Sequence, residues 1–155
     1  MAGRLKKEIK QKRPFRSVQE EVVLAIMRTA DQVVVPMNDI LRGAGLSSSQ
    51  YNVLRILRGA GDDGLPCGEI SERMVRRDPD LTRLLDRLEA SGFVSRTRDT
   101  RDRRVVLASV TEAGLELLAS LDDPIEESIR RSLAHVPVTR LRTLLELLEE
   151  VRSSA

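Results

Sequence analysis

The sequence predicts a mainly α-helical fold that carries one small β-hairpin, and so a protein of the α+β class. Two observations lead to this prediction. Most of the chain has apolar residues at helical spacing, bounded by recognisable helix starts and stops. Only residues 93–110 contain two β-prone segments joined by a polar turn. With 155 residues, the chain is long enough for one domain and an added assembly element.

The composition excludes several classes of protein. The chain is 41% hydrophobic and 32% charged, which is typical of a globular protein. It contains no apolar run approaching the about 20 residues of a membrane span. It has a single cysteine, Cys67, and its basic start is not followed by an apolar signal-peptide core. We therefore expect a cytoplasmic protein without structural disulfides, and not a membrane protein.

Positive charge is concentrated at the start of the chain. Residues 1–16 contain seven lysines and arginines and one glutamate, a local charge of +6, and include every lysine of the protein. We expect a basic flexible tail over these residues, without a helix before Ser17. Such asymmetry is typical of a nucleic-acid binder with a separate assembly region. A solubilising tail is the alternative.

Helix boundaries can be read along the first half of the chain. Ser17 is expected to cap a helix that Pro36 kinks or ends. Ser47 and Gln50 have capping-box spacing and open a second helix, which stops at the glycines 59 and 61. A turn, DDGLP, and a two-turn helix, CGEISERMV, follow.

The next helix has two distinct faces. Asp78 is its expected N-cap, Pro79 its first residue and Gly92 its left-handed stop. One face is a leucine stripe, predicted to be core: Leu81, Leu84, Leu85 and Leu88. The opposite face is free to contact a partner: Thr82, Arg83, Asp86 and Arg87.

An arginine-rich turn joins the two β-prone segments, 93–98 and 105–110, with its tip at 99–103. Residues 96–104 read RTRDTRDRR, in which guanidinium groups could bind phosphates or a narrow minor groove. The alternative is a solvated hairpin tip. The residues that we expect to contact DNA here, or to orient such contacts, are Arg98, Arg101, Asp102, Arg103 and Arg104.

Two long amphipathic helices are predicted after Thr111, the first with Pro124 inside it. The second carries a series of leucines between 141 and 148. A second copy of the chain is the simplest partner for these surfaces, although they could instead pack on their own domain.

A short helix, a longer helix ending in Gly and then a hairpin is the layout of a winged helix-turn-helix. The runs LTRLLDRLEASGFVSR and DRRVVLASVTEAG, with the closing Thr-x-x-Gly, resemble the MarR family of bacterial transcriptional regulators from about residue 17 onward. The resemblance implies a homodimer with interlocking terminal helices on a pseudo-palindromic DNA operator. In these terms, residues 17–45 and 112–155 form the dimerisation region and residues 46–111 the DNA-binding region.

The resemblance also assigns roles to residues. Asp102 would orient Arg104 into the minor groove, and Thr82, Arg83 and Arg87 would face the major groove. Val105 departs from the serine usual at its position, and the start at Asp78 is also atypical. A carboxylate there either caps the helix or accepts a hydrogen bond from a cytosine amino group.

The family's effectors are commonly small phenolic or lipophilic compounds. Met27, Met37 and Tyr51 could line such a pocket, although core packing is the simpler interpretation. Cys67, at the start of the short helix, could sense oxidants, or be structural. A single histidine, His135, and the lack of a phosphate loop or metal-ligand cluster argue against an enzyme, and no cofactor is expected.

The sequence therefore predicts a sequence-specific regulator that binds double-stranded DNA, a repressor released by a small molecule. The alternative is an architectural or interaction protein that lacks sequence specificity.

Overall fold

A computed structural model describes residues 3–153 of the chain, which divides into two compact units, Met1–Pro36 and Met37–Ala155. The first unit contains α1, Arg4–Glu8, and α2, Val18–Val33. Ser17 caps α2 as predicted, because its side-chain oxygen accepts a hydrogen bond from the Glu20 backbone N–H at 3.1 Å. No residue of α2 is buried.

The short helix α1 corrects one prediction. We expected no helix before Ser17, yet Arg4–Glu8 is helical and its ends are joined by an ion pair from Arg4 Nε to Glu8 Oε1 at 3.0 Å. An i, i+4 pair of this kind stabilises a helical turn even where no apolar stripe marks it. Flexibility of residues 1–16 stays a prediction.

The helix α3, Val35–Gly43, crosses the boundary of the two units. The helix α2 ends at Val33, and Pro36 lies in the first turn of α3. Proline is tolerated there because the first helical N–H groups have no intrahelical partner. The predicted interruption at Pro36 is confirmed.

The second unit is built around α4, Ser48–Ala60. Its capping box is formed as predicted, with Gln50 N–H donating to Ser47 Oγ at 3.1 Å and Ser47 N–H donating to Gln50 Oε1 at 2.9 Å. A short 3₁₀ turn, Gly61–Asp63, follows it, then β1, Leu65–Pro66, and α5, Cys67–Arg73. The strand β1 was not expected, since its two residues were read as part of a turn.

The helix α6 spans Leu81–Ala90, so the prediction that it begins at Pro79 was wrong. Asp78 does not cap it: the Asp78 side chain accepts a hydrogen bond from Asp80 N–H at 2.9 Å and closes a local turn. The helix therefore starts two residues later, with Asp80 at the N-cap. Its end is as predicted, because Gly92 has φ +79°. Phe93 N–H donates to the Leu88 carbonyl oxygen at 3.0 Å, and Gly92 N–H to that of Glu89 at 2.9 Å.

The predicted hairpin is formed by β2, Val94–Arg98, and β3, Val106–Val110. Val94 lies opposite Val110 and Arg98 opposite Val106. The sheet has three antiparallel strands in the order β1-β3-β2, with Leu65 paired to Ala108. The sequence missed β1 because two residues are too short for an alternating pattern.

Leucines of α4 and α6 contribute six of the 18 buried hydrophobic residues that the structure describes in the core of the second unit. All four predicted stripe residues of α6 are buried, and Leu54 and Leu57 of α4 are inaccessible to solvent. Leu118, Leu121 and Ile125 complete the core from α7, Glu112–Leu133, which contains Pro124 as predicted. The last helix, α8, Val138–Ser153, has no buried residue.

An ion pair links α4 to α7. The Arg58 guanidinium donates to both carboxylate oxygens of Asp122, at 2.9 and 3.1 Å. This hydrogen bonding raises the pKa of Arg58 above its ordinary value. The pair joins residues 64 positions apart, so it ties α7 to α4.

The Thr-x-x-Gly motif forms a tight junction between α6, the hairpin and α7. The Thr111 hydroxyl donates to the Gly92 carbonyl oxygen at 2.6 Å and accepts from Gly114 N–H at 3.1 Å, which caps α7. Thr111 N–H donates to the Phe93 carbonyl oxygen at 3.0 Å. A Cβ on Gly114 would lie 2.5 Å from that same carbonyl oxygen. Only glycine fits at this position.

We predict that Gly114→Ala lowers the free energy of unfolding by about 1 to 3 kcal/mol, because the backbone of Phe93 must move to admit the methyl group. Gly59→Ala in α4 is the matched control. Nothing lies within 4 Å of its Cβ position, so the same change there should stabilise by about 0.5 to 1 kcal/mol. Urea unfolding of both variants measures the difference. Equal stability of the two variants would contradict the tight junction.

Candidate nucleic-acid interface

The outward face of α6 presents the four residues predicted for it. Thr82, Arg83, Asp86 and Arg87 are exposed, while the leucines between them are buried. The core therefore fixes the orientation of the helix, and its polar side chains cannot rotate inward. An exposed helix face that carries arginines is suited to the major groove of DNA.

Arg83 and Arg87 share a cleft of about 350 Å³ with the first turn of α4. Ser47, Ser49 and Gln50 line it from α4, and Asp80 lines it from the loop before α6. Arg83 Nε lies 3.5 Å from Asp80 Oδ2, so this aspartate faces an arginine. Hydroxyl, amide and guanidinium groups thus converge on one surface.

Arg96 connects α6 to the hairpin, a role that sequence reasoning did not assign. Its Nε donates to Glu89 Oε2 at 2.7 Å and its Nη2 to Asp86 Oδ1 at 2.6 Å. Both hydrogen bonds raise the pKa of the guanidinium, that to Glu89 most. Asp86, predicted to face DNA, therefore also positions the hairpin. The pairing joins residues 7 and 10 positions apart, which neither helical nor strand periodicity predicts.

The hairpin tip, residues 99–105, is held by its own side chains. Asp99 Oδ1 accepts from Arg101 N–H at 3.0 Å, and Asp99 N–H donates to the Val105 carbonyl oxygen at 2.9 Å. Arg98 Nη1 donates to the Arg103 carbonyl oxygen at 2.7 Å, so Arg98 stabilises the tip. The side chains of Arg101 and Arg103 are exposed.

Asp102 and Arg104 form the paired arrangement expected of them. Arg104 Nε lies 3.1 Å from Asp102 Oδ1 and Nη2 lies 3.2 Å from Oδ2, while the Arg104 side chain is 92% exposed. Hydrogen bonds from the side chain and backbone of Arg104 lower the pKa of Asp102. The pair is therefore intact at neutral pH and is lost only as pH falls through that lowered value. Asp102 thus limits the orientations of a guanidinium that remains accessible.

The predicted effector and redox residues lie in different environments. Tyr51 is buried in the core of the second unit and Met37 packs against the same core, whereas Met27 of the first unit is 61% exposed. Cys67 is exposed at the first position of α5. Beside Met37, the side-chain oxygen of Asn38 is buried without a hydrogen-bond partner among residues 3–153.

Comparison with known proteins identifies the family. The sequence profile of the MarR family matches residues 46–106. A MarR transcription factor from Planctomyces limnophilus is 38% identical, with a TM-score of 0.67 over 88% of this chain and 98% of that one. The chain belongs to the MarR family. It is a sequence-specific, DNA-binding transcriptional regulator with a winged helix-turn-helix. In this fold the β2–β3 hairpin is the wing and α6 has the position of the recognition helix, whose contacts with DNA stay a prediction.

Two other similar proteins bear on its role. The homoprotocatechuate degradative operon repressor of Escherichia coli is 26% identical over 131 residues, which cover 84% of this chain and 87% of the relative. The structure of CouR from Rhodococcus jostii RHA1, bound to p-coumaroyl-CoA, is 25% identical with a TM-score of 0.72 and covers 88% and 95% of the two chains. Within residues 3–153 of the regulator, the helices are all too short or too polar to cross a membrane.

We predict that Arg96→Met loosens the wing, because Asp86 and Glu89 then lose the cation that joins them to β2. Amide hydrogen exchange in β2 and β3 should accelerate, and the free energy of unfolding should fall by roughly 1 kcal/mol. Arg73→Met is the control, since Arg73 pairs with Glu69 inside α5. Unchanged exchange in the wing of Arg96→Met would show that the pairing does not hold it.

Proposed function

We propose that this MarR-family protein is a homodimeric repressor that binds a pseudo-palindromic operator and is released by a small phenolic or lipophilic compound. It acts in the cytoplasm and has no catalytic role. The fixed outward face of α6 supports this function most directly, because four buried leucines direct Arg83 and Arg87 outward. The E. coli relative is named as an operon repressor, which supports the direction of regulation.

The two parts of the surface suit different features of DNA. Arg83 and Arg87 can donate to base edges, and guanine O6 and N7 are the commonest partners of arginine there. Arg104, oriented by Asp102 and exposed, suits the narrow minor groove beside the half-site. Helix and wing together then supply both base discrimination and affinity.

Apolar residues on the terminal helices support a dimer. Leu144, Leu145 and Leu147 of α8 are exposed in the single chain, as are Val18 and Met27 of α2. Exposed apolar surface on this scale marks an interaction site. A second copy can bury it, and a two-fold dimer matches an operator with two half-sites.

The unpaired oxygen of Asn38 supports an effector. A buried acceptor without a partner costs about 1 to 3 kcal/mol, which a hydroxyl donor from a ligand would recover. Met37, the preceding residue of α3, packs against the core of the second unit. CouR is bound to p-coumaroyl-CoA, a compound with a phenolic group.

We predict that selection of wild-type protein on randomised duplexes recovers one palindrome with half-sites about one helical turn apart. Arg83→Ala and Arg87→Ala should relax preference at individual positions within it. Arg104→Ala should weaken binding to all operators by roughly 1 to 3 kcal/mol, and operators with A·T-rich flanks should lose the most affinity. Uniform coating of DNA would instead favour the architectural alternative, and identical profiles for the three variants would contradict the division between helix and wing.

The basic arm, residues 1–16, adds contacts that are independent of sequence. Its charge of +6 suits phosphates, which carry no base information. Deleting residues 2–13 should weaken binding to operator and unrelated DNA by similar factors. Loss of two or three phosphate contacts should flatten the slope of log affinity against log salt by roughly 2 to 3. An unchanged slope in a salt titration would make the arm a solubilising tail.

A further inference from the structure

Val75 is an apolar side chain displayed outside the helices. It lies in the loop between α5 and α6 and is 89% exposed, the largest exposure among the large hydrophobic residues that the structure describes. The exposed apolar residues of α2, α7 and α8 lie on amphipathic helices, where a helix partner can cover them. Helix association does not explain Val75.

The backbone at Val75 is held in place. Val75 N–H donates to Asn52 Oδ1 at 2.9 Å, and the preceding residue, Met74, is buried in the core. Because the Met74 side chain is buried and the Val75 N–H is hydrogen-bonded, the Val75 side chain is held in a defined position. The exposure of Val75 therefore belongs to the ordered fold.

The position of this anchor places Val75 beside the recognition surface. Asn52 lies on α4, three residues after Ser49, and so on the same side of that helix. Ser49 lines the cleft that also contains Arg83 and Arg87. The loop is therefore fastened to the part of α4 that borders the recognition helix.

Two arginines follow Val75. Arg76 and Arg77 are exposed and make no ion pair with any residue of the described chain, 3–153. Their neighbours in sequence differ, since Arg73 binds Glu69 and Arg83 faces Asp80. Two guanidinium groups beside the recognition surface are thus available for external anions.

We propose that Val75 packs against the C5-methyl group of a thymine in the major groove, while Arg76 and Arg77 bind the adjacent phosphates. This contact rests on the proposed operator-binding surface and adds a specificity residue to it. The methyl group distinguishes thymine from the other bases in the major groove, and an apolar side chain is its natural partner. Arginine at the flanking phosphates would fix the register.

Replacing single thymines of the operator by deoxyuridine tests the methyl contact, because only the methyl group is removed. In each half-site, replacement of one particular thymine should weaken binding of the wild-type protein about fourfold. This is the change in affinity expected when one buried methyl group is removed. Val75→Ala should bind the unmodified operator correspondingly more weakly and show no further loss at that thymine. Its thermal unfolding should match the wild type, since the side chain is exposed. Absence of such a coupled position overturns the proposal.

The arginines are tested separately by salt titration. Arg76→Gln and Arg77→Gln should each lower the salt slope by about 0.9 per half-site, or about 1.8 for the dimer, whereas Arg142→Gln on α8 should leave it unchanged. Equal slopes for all variants overturn the phosphate contacts. Operator binding that depends on Arg83 and Arg104 but shows no coupling at Val75 overturns this contact alone. A wild-type chain that selects no discrete operator overturns both this contact and the proposed function.

Discussion

The contact between the first turn of α7 and the carbonyl oxygen of Phe93 determines how the parts of this regulator are arranged. Gly114 permits the approach, and Thr111 fastens it through Gly92 and its own cap. The end of the recognition helix, both wing strands and the start of α7 therefore meet within a few residues. A displacement of α7 must be transmitted to the wing or absorbed by this junction, because close-packed groups do not deform continuously.

Acidic residues near the predicted DNA-binding surface orient arginines. Asp80 faces Arg83, Asp86 and Glu89 hold Arg96, and Asp102 holds Arg104. A carboxylate that is paired in this way reduces the side-chain freedom that an arginine loses on binding. The net charge of the whole chain is only +2, so the arrangement of its charges matters more than their sum.

Features that depend on neighbouring residues were predictable, and features that depend on the fold were not. The capping box at Ser47, the stop at Gly92 and the hairpin 94–110 follow from local spacing. The start of α6 was misplaced, because Asp78 and Asp80 are both favourable N-cap residues. The hydrogen bond from Asp80 N–H to the Asp78 side chain closes a turn before the helix, so Asp80 is the N-cap. The strand β1 and the role of Arg96 depend on elements that only folding brings together. The division of the chain at residues 45 and 111, and the roles of the DNA-facing residues, stay predictions.

The attachment of Arg96 to α6 also bears on how such regulators can be recombined. A recognition helix exchanged between family members as residues 81–90 alone would bring its own residues at 86 and 89 to a foreign wing. If those residues are not carboxylates, the guanidinium of β2 loses its partners and the graft misaligns. The smallest segment of this protein that can be exchanged is therefore residues 81–96. It transfers the helix together with Arg96, the side chain that positions the helix relative to the wing.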